Sequence, residues 1–370
     1  MIPWIPRSIS VPPIQGVATP PRPGLPSWSR VMSGRFQKEV EQYMSRGIRV
    51  WPLLVRTANQ LTFSMCNQIG TSPSPSILVG QNGALFQPMY LRSFNRSRPV
   101  KKEDAVRAAQ RLRKLENRLR ERGVPLVLMI SPNAIALSPE IVPPSLTDST
   151  RLSRENSYER ALPHFKKAGI PIIDFFDYAA SHRGEFHGGV FPLTGSHWND
   201  YASCIATQQL LTTIGGRQTE EQKRWPSISC DNIAWSHPPP SEDTDLLDIA
   251  NLLFPARYMR EGITVTHKAE LNQKSMGLKP KMFLVGTSFL FAIQNHLERS
   301  QAVEEASLFF YAKSIRRTSK DRLRVLPLTR VPWDDIWKYD AVVLEINQAS
   351  LTGAGHGFVK AALDALKKEN

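Results

Sequence analysis

Cysteine is scarce in this chain: three in 370 residues, Cys66, Cys204 and Cys230, set far apart. An odd, scattered set predicts neither a disulfide framework nor a CxxC metal site. It leaves the compartment open, since an exported protein can do without disulfides. Long hydrophobic runs are missing too. No uninterrupted apolar stretch approaches the ~20 residues that cross a bilayer, and the opening "MIPWIPRSISVPP" has none of the long apolar core of a secretory signal. Zinc-ligand spacing, a basic heptad and an RRM-like aromatic box are also lacking, so nucleic acid is not an expected partner.

What is present reads as globular. Hydrophobic residues make up 41% and charged residues 22%, enough to bury a sizeable core. The formal net charge of +14 favours acidic partners by long-range steering, such as an anionic membrane face or an acidic polysaccharide. Basic residues are spread along the chain, and their densest cluster, "RSRPVKKEDAVRAAQRLRKLENRLRERG", reads as the solvated face of one helix.

Residues 1–30 are rich in proline and poor in periodic hydrophobics, and predict a flexible arm. A helical segment and a Ser/Pro linker, "GTSPSPS", occupy 31–74, leaving 75–370 as the main domain. That domain starts with "ILVGQNGALF", where Asn82-Gly83 between apolar runs predicts a hairpin. A basic amphipathic helix over about 102–122 ends before Gly123. Strands follow at "PLVLMIS", "IPIIDFF", "KMFLVG", "EASLFFYA" and "YDAVVLEINQ", separated by helices at about 157–168, "YASCIATQQLLTTIG", "FLFAIQNHL" and "HGFVKAALDALKK". Short continuous apolar strands alternating with helices predict a three-layer α/β fold with a mainly parallel sheet. In such sheets the site lies at the carboxyl ends of the strands.

Two residues there carry the chemistry of interest. In "FLVGTSFLF", Gly286 suggests a backbone conformation closed to other residues, and Ser288 falls where a strand turns into a helix. A serine so placed exposes its hydroxyl, and its N–H lies at the positive end of the helix, suited to an oxyanion. Serine is equally a favoured helix N-cap for structural reasons alone. In "FPLTGSHWNDYAS", His197 also follows a strand and is the base that a weak serine nucleophile needs, or else a packed polar residue beside Trp198. In "VVLEINQ", Asn347 could donate to an oxyanion and Glu345 could pair with a basic neighbour, although Asn is common wherever a strand meets a turn.

Taken in order, "ILVGQNGALF", "LVLMISPNAIALSPEIVP", "LTGSHWNDYAS", "DTDLLDIANLL", "FLVGTSFL" and "VVLEIN" resemble the motif series of alginate O-acetyltransferase-type proteins, the AlgJ/AlgX group. The resemblance runs from about Trp28 to the C-terminus. It implies a permuted SGNH-hydrolase-like fold and transfer of acetyl groups to hydroxyls of an exported polysaccharide, anionic or neutral, in the periplasm or at the inner membrane. By position it implies Ser288 as nucleophile, His197 as general base and, by looser analogy with the wider fold, Asn347 at the oxyanion. It implies no organic cofactor and no metal. The partner it implies is a membrane-bound acetyl donor of the membrane-bound O-acyltransferase type. The N-terminus as written shows no export signal; a mis-assigned start codon or a lost anchor would reconcile it with that location.

Three positions depart from the family pattern. The triad acid, two residues before the histidine, is replaced by Gly195, and Thr194 offers no carboxylate either. The serine block has Thr287 in place of aspartate, and Ala134 stands where the Pro-Asn block often continues with lysine. A triad acid fixes the histidine tautomer and stabilises the imidazolium; disabling it in a serine protease costs about four orders of magnitude. The sequence leaves three outcomes open: a Ser-His dyad, a substitute acid with Asp174 and Asp200 as candidates, or a catalytically impaired polysaccharide-binding or assembly component on the same fold.

Overall fold

The computed structural model describes residues 12–16, 18, 20–46, 50–69, 77–97, 100–216, 225–266, 269–270, 279–353 and 355–368. The chain divides into two units, and the division differs from the one expected. The first comprises 1–88, 193–195 and 244–259; the second takes the rest. Within the first unit, helices α1 (Arg35–Arg46) and α2 (Trp51–Cys66) precede a hairpin of β1 (Leu78–Val79) and β2 (Leu85–Phe86). Asn82 and Gly83 both take the left-handed conformation that the turn demands. Phe63 of α2, Val79 and Leu85 of the hairpin, and Leu246, Leu247 and Ala250 of the short helix Asp245–Ala250 share one small core. That core draws the hairpin and a distant helix to the helical segment, which spacing alone did not suggest.

The first residues described are anchored rather than loose. Arg56 donates to the carbonyls of Pro12 at 2.8 Å and Pro13 at 3.0 Å, and the Gln15 N–H donates to Asn251 at 2.8 Å. Residues 1–11 lie outside the described ones. The linker "GTSPSPS" lies outside them as well.

The second unit is built on one seven-stranded sheet. Its elements in chain order are α3 (Lys102–Arg120), β3 (Leu126–Ser131), α4 (Ser157–Lys167), β4 (Ile172–Asp174), α5 (Asp200–Gly215), β5 (Lys281–Gly286), α6 (Phe289–Arg299), β6 (Glu305–Phe310), β7 (Ser314–Arg316), β8 (Arg324–Val325), β9 (Ala341–Asn347) and α7 (Phe358–Lys368). The strand order is β8-β7-β6-β5-β9-β3-β4. The five strands from β6 to β4 run parallel, and β7 and β8 extend the edge antiparallel. Because successive side chains point to opposite faces, each apolar strand feeds two cores. Val127, Met129, Met282, Leu284, Ala341 and Val343 pack with α5 and α6. Leu126, Leu128, Phe283, Val285, Val342 and Leu344 pack with α3, α4 and α7. This is the three-layer α/β arrangement expected, with the carboxyl ends of β3, β4, β5, β6 and β9 along one edge.

Two local signals explain where helices begin and end. Asn156 and Glu159 form a reciprocal capping box at the start of α4, and Gly123 takes a left-handed φ of 76° just past α3.

Cys204 and Cys230 are bonded, which corrects the reading of the cysteines as an unpaired set; the bond joins α5 to the loop after Ser227–Ile228 across 26 residues. Distance in sequence hides such a pair, because proximity is set by how the loop returns to the helix. Closing a loop of this length stabilises the fold by about 3 kcal/mol in the chain-entropy model. Cys66 is exposed and free. Thiol titration in denaturant should therefore find one reactive thiol per chain before reduction and three after it. Replacing both Cys204 and Cys230 with serine should lower the denaturant midpoint, and three thiols before reduction would contradict the pairing.

Candidate active site

Strand β5 delivers the nucleophile candidate. It ends at Gly286, Thr287 follows, and Ser288 is the N-cap of α6, in helical conformation with no side-chain capping bond of its own. The hydroxyl is thus left to other partners. Among the described residues the Ser288 N–H finds no acceptor, and it stands at the positive end of an eleven-residue helix. Gly286 is required for space. Its φ is not left-handed, contrary to the conformational role expected. A Cβ there would lie 2.5 Å from Oε2 of Glu345 and 2.8 Å from Leu290.

The loop that leads into α5 delivers the base. Nε2 of His197 lies 2.6 Å from Oγ of Ser288, across 91 residues of sequence. On the other side of the ring, Nδ1 lies 3.2 Å from Oγ of Ser196. Both partners are hydroxyls, and in the tautomer with Nδ1–H donating to Ser196, Nε2 is free to accept the Ser288 proton. The ring also meets Phe289 at 5.3 Å, while Trp198 is buried edge-to-face against Phe175 and Phe289. Trp198 is a wall that fixes the backbone on which His197 is carried.

The other carboxylates and amides are placed differently from expectation. Asp174 caps the helix Phe175–Ser181 through the Asp177 N–H at 3.2 Å and accepts the Tyr158 hydroxyl at 2.7 Å. Burial pushes its carboxyl above the usual range. Asp200 accepts from the Val265 N–H at 2.7 Å and lies near His296 and Arg299. Neither is bonded to His197, so neither substitutes directly for a triad acid. Ser203, His296 and Asp200 superficially form a second triad, but Ser203 and Asp200 both meet the same nitrogen of His296. Ser203 and His296 are also fully buried, so this group is structural. Asn347 turns its amide N–H groups to the Pro132 carbonyl at 2.7 Å and to Ser131 at 3.3 Å. It braces the end of β3 and has no donor left for an oxyanion.

Two residues at the site were not assigned these roles from sequence. Tyr311, just past β6, lies near Ser288, and burial raises the pKa of its hydroxyl. Its backbone is left-handed, with φ of 49°. That conformation is an outlier for a bulky residue and characteristic of strained functional positions; no sequence pattern announces it. Glu345, expected to meet a basic neighbour, instead accepts from the Thr287 N–H at 2.6 Å, the Thr287 hydroxyl at 2.8 Å and the Ser131 hydroxyl.

A nucleophile-to-base hydrogen bond at the carboxyl edge of this sheet is a geometry found in more than one serine-enzyme fold, so relatives decide the family. Residues 77–299, more than half of the chain, match the family model for the SGNH hydrolase-like domain of the acetyltransferase AlgX. The chain belongs to this family. Among solved structures, the O-acetyltransferase domain of Pseudomonas putida AlgJ is similar at 14% identity. That match covers 80% of this chain and 100% of that one, with a TM-score of 0.50. Pseudomonas aeruginosa AlgX is 15% identical over 77% of this chain and 67% of its own, with a TM-score of 0.45. Bacillus cereus PatB1 with a sulfonyl adduct is 12% identical over 77% and 99%, with a TM-score of 0.47. At such identities the likeness is one of fold. No curated protein sequence matches the chain.

In this AlgX-type domain the departures noted in the sequence acquire a setting. Gly195 carries no carboxylate, and the next residue, Ser196, presents a hydroxyl to the base. Thr287, where the family's aspartate would be, donates to buried Glu345. Packing at Gly286 gives a direct check. Gly286→Ala forces a methyl group against Glu345 and Leu290, and should lower stability by about 1–3 kcal/mol in chemical denaturation. An unchanged midpoint would show that the turn has room to spare.

Proposed function

We propose that the protein transfers acetyl groups to hydroxyls of an exported polysaccharide, with Ser288 as nucleophile and His197 as general base. The observation that carries this reading is the 2.6 Å contact between Nε2 of His197 and Oγ of Ser288. Membership of the AlgX acetyltransferase family and likeness to an AlgJ O-acetyltransferase domain supply the reaction class. Ser288 Oγ attacks the acetyl carbonyl of the donor and its proton passes to Nε2. The tetrahedral oxyanion forms next to the Ser288 N–H and the Tyr311 hydroxyl. Collapse expels the donor's leaving group, which takes the proton from His197, and leaves acetyl-Ser288. A sugar hydroxyl then gives its proton to His197 and attacks the ester; the Ser288 oxygen leaves and takes that proton back from Nε2. Water in place of the sugar gives the esterase reaction.

The donor side of this cycle calls for a membrane-bound O-acyltransferase-type partner. No helix among the described residues is long and apolar enough to cross a membrane. A periplasmic setting is in keeping with the Cys204–Cys230 bond, since such bonds persist in oxidising compartments.

Hydrolysis of a chromogenic acetyl ester tests the mechanism. His197→Ala should lower kcat by about 10²- to 10⁴-fold, and Ser288→Ala by at least as much. Tyr311→Phe should cost on the order of 10²-fold if its hydroxyl holds the oxyanion. Equal rates in wild type, Ser288→Ala and His197→Ala would sink the serine mechanism.

A further inference from the structure

Two cavities on the face of the sheet that carries α3, α4 and α7 form one groove. The larger, about 560 Å³, lies between the first turn of α3, the start of α4 and the loop after β9. The smaller, about 350 Å³, lies between α3 and α7. Asp104, Thr352 and Gly353 line both, which makes the two continuous. Because α3 and α4 each lead into a parallel strand, their first turns stand at the carboxyl edge of the sheet, as does the loop that leaves β9. That is the edge where Ser288 follows β5, the strand paired with β9. Ser288 caps α6 on the opposite face, so the groove lies outside the catalytic machinery.

The lining is cationic. Arg92 and Arg96 stand at one end, and Arg107, Arg111 and Lys360 at the other. Arg96 is occupied by Glu159 at 2.8 Å, and Arg107 by Asp104, the single carboxylate in the lining. Arg92, Arg111 and Lys360 are exposed and have no acidic partner among the described residues. Like charges around one concavity repel one another, and their summed field concentrates anions there. The larger cavity also carries hydroxyls whose protons are already given away. Ser93 donates to the Ala349 carbonyl and Ser350 to the Asn347 carbonyl, each at 3.4 Å, which leaves their lone pairs to accept from sugar hydroxyls. No aromatic ring lines either cavity, so stacking of nucleobases has no platform here.

We propose that this groove docks an acidic polysaccharide through its carboxylates and holds it as the acceptor chain for transfer at Ser288. The acceptor role rests on the acetyl-transfer function proposed above; the binding itself does not. A guanidinium presents a fork that matches a carboxylate bidentately, and a lysine adds a point charge. Three cations without partners, spread over two joined cavities, suit a chain with repeated charges better than one small anion. A chain held along the groove stays tethered at the carboxyl edge, which raises the effective concentration of its hydroxyls there. Of the anionic and neutral glycans that the sequence left open, the groove selects the anionic.

The experiment compares three forms of the full chain. One is wild type, and the second carries Arg92→Ala, Arg111→Ala and Lys360→Ala together. The third carries Lys320→Ala, Arg322→Ala and Arg324→Ala, which removes the same charge from exposed positions outside the groove. The probes are a fluorescently labelled oligouronate and the same oligosaccharide with its carboxyls reduced to alcohols. Binding is read by anisotropy. Wild type should bind the oligouronate and lose affinity between about 0.1 M and about 1 M salt. The groove variant should bind about tenfold more weakly, while the control variant matches wild type and the reduced probe binds none of them well. Hydrolysis of a chromogenic acetyl ester should be unchanged in the groove variant. No binding by wild type, equal affinity in the groove variant, equal losses in both variants, or tight binding of the reduced probe would each overturn the proposal. If groove-dependent binding is found but no form hydrolyses the ester, the acetyl-transfer reading fails and the acidic-glycan site stands.

Discussion

A single buried carboxylate constrains the centre of this domain. Glu345 sits on the face of the sheet that packs with α5 and α6, at the point where apolar layers give way to the edge of the sheet. Interiors are close-packed, so its oxygens dictate what surrounds them. The residue at 286 has to be glycine, because a Cβ would fall 2.5 Å from Oε2. The residue at 287 has to donate, which a threonine does twice, and Ser131 at the end of β3 has to turn its proton inward. The turn that presents Ser288 is thereby held from below by hydrogen bonds, and from the side by the Phe289 ring against Trp198.

Much of the architecture was legible because it rests on local pattern. Continuous apolar runs gave the parallel strands, and the helices fell within a few residues of their observed ends. The hairpin at Asn82-Gly83 and the left-handed Gly123 followed from backbone sterics. His197 and Ser288 stood out as a base and a nucleophile in matching motif positions, although serine there is equally a helix N-cap. Their meeting depends on sheet order, which places β5 and β4 on the same edge and is not written in spacing. Asp174 and Asp200 were reasonable substitutes on the same logic, yet carboxylates at strand ends and helix starts are also natural caps, and Asp174 serves as one. Asn347 went the same way, consumed by backbone left open at the end of β3. The cysteine pair and the strained Tyr311 left no local trace.

The surplus positive charge, prominent in the composition, is partly neutralised in place. Along α3, Arg107 pairs with Asp104, Arg113 with Glu116 and Arg118 with Glu121, each three residues apart. The exposed pairs, Arg107–Asp104 and Arg118–Glu121, contribute little to stability. They blunt the field of the densest basic segment and spread what remains over the surface.

The hydroxyl of Ser196 against Nδ1 of His197 has a consequence of its own. In a triad one aspartate both aims the imidazole and balances its charge, and acid that protonates the aspartate removes both services together. Serine does not titrate in that range, so here the aim of the ring survives acidification.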